Sequence, residues 1–255
     1  MALSLHILAR KAKTFARTVA ECSNWPSLTA AKIGLTDKPK IARFRDGFRL
    51  QILPPLKQTW GEVFEPAIAD LYKIAQASPD LIIDVGANIG AFACRAAFLH
   101  RSATVHAFEP SEKHVQMLEE NIRLNGLTNV TVHRAAVTKD GRDVLFSALG
   151  TGGGSGIFLH EGGSPVAMQS TTLATVDIQG AQSLFVKLDC EGAEGEIIDW
   201  LCSHRAQLPP RVQIACELHH WCPIPIEQMI GNLQLHGFAV QEAILFDESY
   251  LFASV

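Results

Sequence analysis

Leu81-Ile82-Ile83-Asp84-Val85-Gly86-Ala87-Asn88-Ile89-Gly90 is the stretch on which the fold turns. A short apolar run ends in a turn bearing two glycines, and Ala91 to Leu99 then reads as a helix. Gly86 and Gly90 permit a tight strand-to-helix turn, where a ligand can approach the backbone and meet the N–H groups of the helix N-terminus. A pyrophosphate fingerprint needs a third glycine in the middle, where this chain carries Asn88. Asp84 at the strand end turns a negative charge toward a bound amine, so an amino-acid moiety suits the turn better than a phosphate.

Outward from that turn, strands and helices alternate. Thr104 to Phe108 reads as a strand, Glu112 to Asn125 as a helix stopped by Gly126, and Val130 to His133 as a strand. Ser183 to Leu188 (strand), Gly192 to Ser203 (helix) and Val212 to Glu217 (strand) continue the series. Buried strands alternating with helices predict a parallel α/β sheet with helices on both faces. Gly237 to Ile244 and Tyr250 to Val255 stand close enough together to close it as an antiparallel hairpin. Between the third and fourth core strands, Thr151 to Ser164 holds six glycines and is flanked by strand-like Val144 to Ala148 and Val166 to Thr172. It predicts a hairpin or lid, spanning 150–165, over the C-terminal edge of the sheet, where such folds bind ligands.

The region before the turn is different. Residues 1–58 carry a net charge of +8 and the remainder −12, within a 255-residue chain of net charge −4. This basic extension predicts a helix, a break at Trp25-Pro26, and a small hairpin turning at Asp46-Gly47. The rest, 59–255, forms the ligand-binding domain, which an amphipathic helix from Trp60 to Ala77 introduces. The basic arm fits either a peripheral anionic partner or a solvated helix face that pairs with the acidic body. No apolar run reaches the roughly 18 residues of a membrane span, and there is no signal-peptide pattern. With six cysteines lacking any CxxC spacing, a reduced, cytoplasmic protein is expected.

Glu109 ends the second strand nineteen residues after Gly90, where a carboxylate can accept from both hydroxyls of a ribose. Strand, Asp84, two glycines, helix, strand and Glu109 together describe a nucleoside joined to an amino acid, which is S-adenosylmethionine. A nicotinamide-dependent oxidoreductase shares the Glu109 position but lacks support at Asn88. A non-catalytic module that binds a polyanion or membrane through its basic arm is the other alternative.

Asp84 to Gly90, Phe108-Glu109-Pro110 and Val186-Lys187-Leu188-Asp189-Cys190-Glu191-Gly192-Ala193-Glu194 resemble the FkbM family of S-adenosylmethionine-dependent methyltransferases. Trp60 to Phe64 and Glu217-Leu218-His219 extend the resemblance over about 42–255. It implies the class I methyltransferase fold, a Rossmann-like seven-stranded sheet, mostly parallel with an antiparallel last strand. It also implies O-methylation of a hydroxyl on a sugar, glycan or related small-molecule product. Carried over, Asp84, Gly86, Asn88 and Gly90 would hold the methionine end, Glu109 the ribose, and Ala135 and Ala136 the adenine edge. Phe64 and Tyr72 would either cover the cofactor or simply pack.

An alcohol becomes a good nucleophile only when its proton has somewhere to go, so a general base or a divalent metal belongs at the ends of the fourth and fifth strands. Asp189, Glu191 and His219 are the candidate catalytic residues. Asp189, Glu217 and His219 could alternatively bind Mg²⁺ or a similar ion. The bland reading of Lys187 is an aliphatic stem lying on the sheet with its amine in solvent. For Glu191 and Glu194 it is the preference of acids for a helix N-terminus.

Overall fold

The computed structural model describes residues 2–35, 40–52, 74, 77–148, 164–219, 222–245 and 248–255. Helix α1 (Ala2–Glu21) is followed by α2 (Trp25–Lys32), which has Pro26 in its first turn, where a missing N–H costs nothing. Strands β1 (Lys40–Arg43) and β2 (Arg49–Ile52) pair antiparallel as the predicted hairpin. Its turn closes with Phe44 N–H donating to Phe48 O at 2.8 Å, and Gly47 takes a φ of +96° that a side chain would resist. Part of the basic excess is used within the fold. Arg45 donates to the last carbonyls of α1, those of Val19 and Ala20, and Arg17 pairs with Glu21.

The main sheet is built from β3 (Leu81–Val85), α3 (Ala91–Leu99), β4 (Thr104–Phe108), α4 (Glu112–Leu124) and β5 (Val130–His133). Four short strands follow: β6 (Ala136–Val137), β7 (Val144–Ala148), β8 (Ser164–Met168) and β9 (Ser170–Thr171). Then come β10 (Ser183–Leu188), α5 (Glu194–Ser203), β11 (Arg211–Leu218), α6 (Ile226–Leu235), β12 (Ala239–Leu245) and β13 (Glu248–Ser254). Seven of these strands form one sheet in the order β12-β13-β11-β10-β3-β4-β5. β13 runs antiparallel to both its neighbours, while β11, β10, β3, β4 and β5 pair parallel. This is the class I methyltransferase architecture, in which the strand order switches direction between β3 and β10, the place at whose C-terminal strand ends such sheets bind ligands.

Both faces of the sheet are covered, which is why β3 and β10 are buried along their whole length. On one face Ala93, Ala96 and Ala97 of α3 and Leu118 of α4 pack with Val105 and Ala107, and Phe44, Phe48, Leu50 and Ile52 of the hairpin join the same cluster. On the other, Ile197 and Leu201 of α5 with Met229 and Leu233 of α6 cover Ile83, Val85, Val186 and Leu188. Each of the buried Val, Leu, Ile, Met and Phe side chains contributes about 1.5–3 kcal/mol of burial, the alanines less.

Two asparagines fix the hairpin to the sheet. Asn121 on α4 and Asn125 at its C-terminal cap, one turn apart, each exchange two hydrogen bonds with β2, at the backbone of Gln51 and Arg49 respectively. Asn121 also donates to Ile89 O at 2.9 Å, inside the glycine turn. The extension and the candidate cofactor loop thus share one buried side chain.

The structure differs from expectation in detail. α5 starts at Glu194 rather than Gly192, because Glu191 (φ +58°) and Gly192 (φ +112°) take left-handed conformations that end the preceding turn. The strand expected over Val166–Thr172 is two strands, β8 pairing with β7 and β9 with β6. The glycine-rich connection between β7 and β8, most of the helix expected over Trp60–Ala77 with Phe64 and Tyr72, and His220 and Trp221 lie outside the described residues.

Candidate active site

Gly86 is the hinge of the site. Its N–H and that of Ala87 both donate to Phe108 O, tying the turn to β4. Its φ is +81°, and a Cβ there would stand 1.8 Å from the backbone oxygen of Asp189. The absence of a side chain here therefore admits the neighbouring strand end, where the sequence suggested a ligand. Gly90 (φ +83°) caps α3, and a Cβ there would meet Leu118 Cδ1 at 2.3 Å. Asn88 also has positive φ, +49°, and its N–H donates to Glu109 Oε2 at 2.8 Å. Among the described residues, Asn88 and Glu191 are the non-glycine positions with positive φ, and both lie in this site. Strain of this kind, costing on the order of 1 kcal/mol, persists where surrounding structure enforces it.

Asp84 is fully buried, and Lys187 answers it. The Lys187 ammonium lies 3.1 Å from Asp84 Oδ1 and 3.4 Å from Asp189 Oδ2, and it donates to Gly86 O at 2.9 Å. Lys187 is only 4% exposed, so the stem-on-the-sheet reading fails: the amine points into the site, not into solvent. Register explains it, since Lys187 and Asp84 are paired positions of β10 and β3. A lone charge in the otherwise apolar strand Ser183–Leu188, level with an acid on the next strand, was the available signal. Burial pushes the Asp84 carboxyl upward, and the Lys187 charge and hydrogen bond work against that rise.

Glu109 is 5% exposed and both its oxygens accept from backbone: Oε2 from Asn88 and Oε1 from Ser111 at 2.9 Å. It holds the glycine turn and the start of α4 together, and each oxygen retains a second lone pair. Ala135 follows β5 half-buried, while Ala136 is buried in β6 with its N–H given to Gln169 O. Asp84 Oδ2 has no hydrogen-bond partner among the described residues. A spare buried acceptor beside the glycine turn, with an acid at the next strand end, fits a ligand carrying an ammonium group and a ribose.

At the ends of β10 and β11, acids converge on one imidazole. Glu194, 0% exposed, accepts from Cys190 N–H and Gly192 N–H, and its Oε1 lies 2.8 Å from His219 Nδ1. His219 Nε2 faces Glu191 Oε2 at 3.5 Å and Asp189 Oδ1 and Glu217 Oε1 at 3.9 Å each. The structure thus brings together Asp189, Glu191, Glu217 and His219, and adds Glu194 as the group that orients the ring. Its place at a helix start suggested only a favourable dipole, whereas its carboxylate is turned inward onto the ring and the Cys190–Gly192 turn. Burial depresses the His219 pKa, but the Glu194 hydrogen bond and the charges of Glu194, Asp189 and Glu191 outweigh it and raise it to about 9.

A sheet of this topology, with a glycine turn after β3, an acid at the end of β4 and a polar edge on the adjoining strands, defines a class I methyltransferase. The family profile described as the methyltransferase FkbM domain matches residues 84–239, more than half of the chain. The chain belongs to that family and is an S-adenosylmethionine-dependent methyltransferase, which removes the hydride-transfer alternative. No curated protein gives a significant match. Among solved structures, the chain is similar to a precorrin-6y C5,15-methyltransferase from Geobacter metallireducens GS-15, at 15% identity over 75% of this chain and 89% of that one (TM-score 0.48). It is also similar to M. jannaschii TYW2 in complex with AdoMet, at 15% identity over 86% of each chain (TM-score 0.48). A putative rRNA-methylase from Clostridium thermocellum matches at 12% identity over 73% of this chain and 94% of that one (TM-score 0.49). No helix among the described residues is long and apolar enough to cross a membrane.

Proposed function

We propose that this methyltransferase O-methylates a hydroxyl of a sugar, glycan or related small-molecule product. The observation that carries the reading is the convergence of Asp189, Glu191 and Glu217 on His219 at the strand ends, with Gly86 lying directly against the backbone of Asp189. S-adenosylmethionine supplies an electrophilic methyl group on a sulfonium. Asp84 acts on its methionine end through charge, Gly86, Asn88 and Gly90 shape the turn that receives it, Glu109 accepts from the ribose, and Ala135 and Ala136 border the adenine.

A neutral hydroxyl needs a proton acceptor as its oxygen bonds to the methyl carbon and the carbon–sulfur bond breaks. Asp189 and Glu191 form that acceptor set, while His219, expected as a base from the sequence, has its pKa raised to about 9, is protonated near neutral pH and offsets their charge. Acids on this edge also disfavour an anionic substrate, since like charges facing each other in a half-buried site repel strongly. Neutral polyols and amino sugars are the acceptors that suit it.

The test is transfer of radiolabelled methyl from S-adenosylmethionine to a panel of neutral, amino- and carboxyl-bearing glycosides and hydroxylated natural products. The expected result is alkali-stable label on a neutral or cationic acceptor, lost in Glu191→Gln. Label found only on nitrogen, or only with carboxylated acceptors, would overturn the reading.

A further inference from the structure

Over 12–21, helix α1 buries threonines and exposes apolar residues. Thr14 and Thr18, one turn apart, are 2% and 0% exposed, and the Thr18 hydroxyl donates back to Thr14 O at 2.8 Å. Phe15 is 46% exposed, although its ring meets that of Trp25 in a T-shaped contact at 5.8 Å. Ala12, Ala16 and Ala20 are exposed as well. A surface helix that only packs on its own domain buries its apolar stripe and shows the polar one to water, and this segment does the reverse.

The residue pattern of the whole helix adds charge to this arrangement. At 3.6 residues per turn, Leu5, Leu8, Ala12, Phe15, Ala16 and Val19 share one arc of α1, and His6, Arg10, Lys13 and Arg17 share the arc beside it. The helix holds four basic residues and one acid, Glu21, which pairs with Arg17 at 2.8 Å. Lys13 is exposed. With 20 residues α1 is about 30 Å long, yet it is not apolar enough to cross a membrane. An apolar arc beside a basic one, on a helix that does not span, is the pattern that settles along a membrane surface.

We propose that α1 binds the surface of an anionic lipid bilayer, its apolar arc at the boundary of headgroups and acyl chains and its basic arc against lipid phosphates. A nucleic acid would engage the basic arc and leave the apolar one in water. A second copy of α1 would bring like charges together. A bilayer surface takes both arcs side by side. The charge of the rest of the chain agrees, since residues 1–58 carry +8 and the remainder −12, so an anionic surface attracts the extension and repels the ligand-binding domain. Neither arc includes a residue of the methyltransferase site, so the two readings stand or fall separately.

The experiment sediments the full chain with vesicles of phosphatidylcholine alone or of equimolar phosphatidylcholine and phosphatidylglycerol. Binding to the anionic vesicles, little to the neutral ones, and weakening as salt is raised are the expected results. Phe15→Ser and Ala16→Glu, both at exposed positions, should weaken binding about tenfold, and Lys13→Glu about tenfold or more. S-adenosylhomocysteine binding, read by calorimetry, should be unchanged in all three and shows that each is folded. Absence of binding to anionic vesicles overturns the proposal, as does binding that Phe15→Ser and Ala16→Glu leave unaltered. Tighter binding to a single-stranded RNA oligonucleotide, lost only in Lys13→Glu, would make the arm a polyanion site instead. A dimer that Ala16→Glu converts to a monomer, without vesicle binding, would make this face a subunit contact.

Discussion

On the β3–β4 side of the sheet's C-terminal edge, the chain presents mainly backbone: one turn with two glycines, the N–H of Asn88 and of Ser111 gathered by Glu109, and a carbonyl of Gly86 held by Lys187. On the β10–β11 side it presents side chains, with Asp189, Glu191, Glu194 and Glu217 arranged about one imidazole. A site for an invariant cofactor can be built from turns whose shape is fixed by φ, while a site that must move a proton needs titratable groups placed by their neighbours. Beyond the pairing of β3 with β10, Gly86 and Lys187 join the halves, the first by backbone approach to Asp189 and the second by bridging Asp84 and Asp189.

Breaking the first joint should have the largest effect. Gly86→Ala introduces a Cβ 1.8 Å from Asp189 O at a φ of +81°, so the turn or the end of β10 must move. Loss of both S-adenosylhomocysteine binding and on the order of 3 kcal/mol of stability is expected, checked by calorimetry and urea denaturation. Retention of both would show that the halves are not in contact there.

The second joint is electrostatic. Lys187→Met leaves Asp84 buried without its cation, so burial alone acts on the carboxyl and pushes it further up. The protonated, neutral Asp84 then no longer attracts the cofactor's ammonium. S-adenosylhomocysteine affinity should fall at least about tenfold near neutral pH and recover partly as pH rises toward 9, whereas wild type should vary little. Cys94, Glu109, Asp189 and Lys187 are the titratable groups that act on this carboxyl or feel its charge. A pH-independent loss would assign Lys187 a packing role instead.

Glu194→Gln sharpens the comparison from the other side. It keeps the shape at His219 while removing the charge that orients the ring. Methyl transfer should fall about 10–100-fold with S-adenosylhomocysteine affinity nearly unchanged, read by steady-state kinetics and calorimetry. Equal loss of both would mean the edge is one unit.

The smallest effect lies where β4 pairs with β5. His106 Nδ1 and His133 Nε2 are 2.9 Å apart, and burial holds both pKa values below the usual imidazole value, with the neighbouring His106 adding to the shift at His133. An unfolded chain binds protons on these rings near pH 6.5 that the native pair resists, so their contribution to stability is present above that pH and lost as pH falls below it. His133→Phe should flatten the decline in stability between pH 7.5 and 5.5 without altering binding. An unchanged slope would remove the pair from the pH response.

How much of this could be read from the chain alone follows the same division. The β3 turn was legible because glycine spacing and strand apolarity are local properties, and the boundaries of β3, β4, β5 and β10 fall where the residue pattern put them. The acids and His219 were legible as residues but not as a geometry. Their meeting depends on β10 lying between β3 and β11, a relation set by the sheet order rather than by distance along the chain. Lys187 was misread for that reason, since its partner Asp84 is 103 positions away in sequence and level with it only in register. The role of Asn121 in tying Ile89 to Gln51 was likewise hidden, because nothing in a helical Asn announces a distant backbone acceptor.

The most direct test of a divided site is calorimetric titration of S-adenosylhomocysteine into wild type, Asp84→Asn and Glu217→Gln. The account predicts binding to wild type, a loss of about tenfold or more in Asp84→Asn, and a change of no more than about threefold in Glu217→Gln. Unaltered binding in Asp84→Asn, or an equal loss in Glu217→Gln, would contradict it.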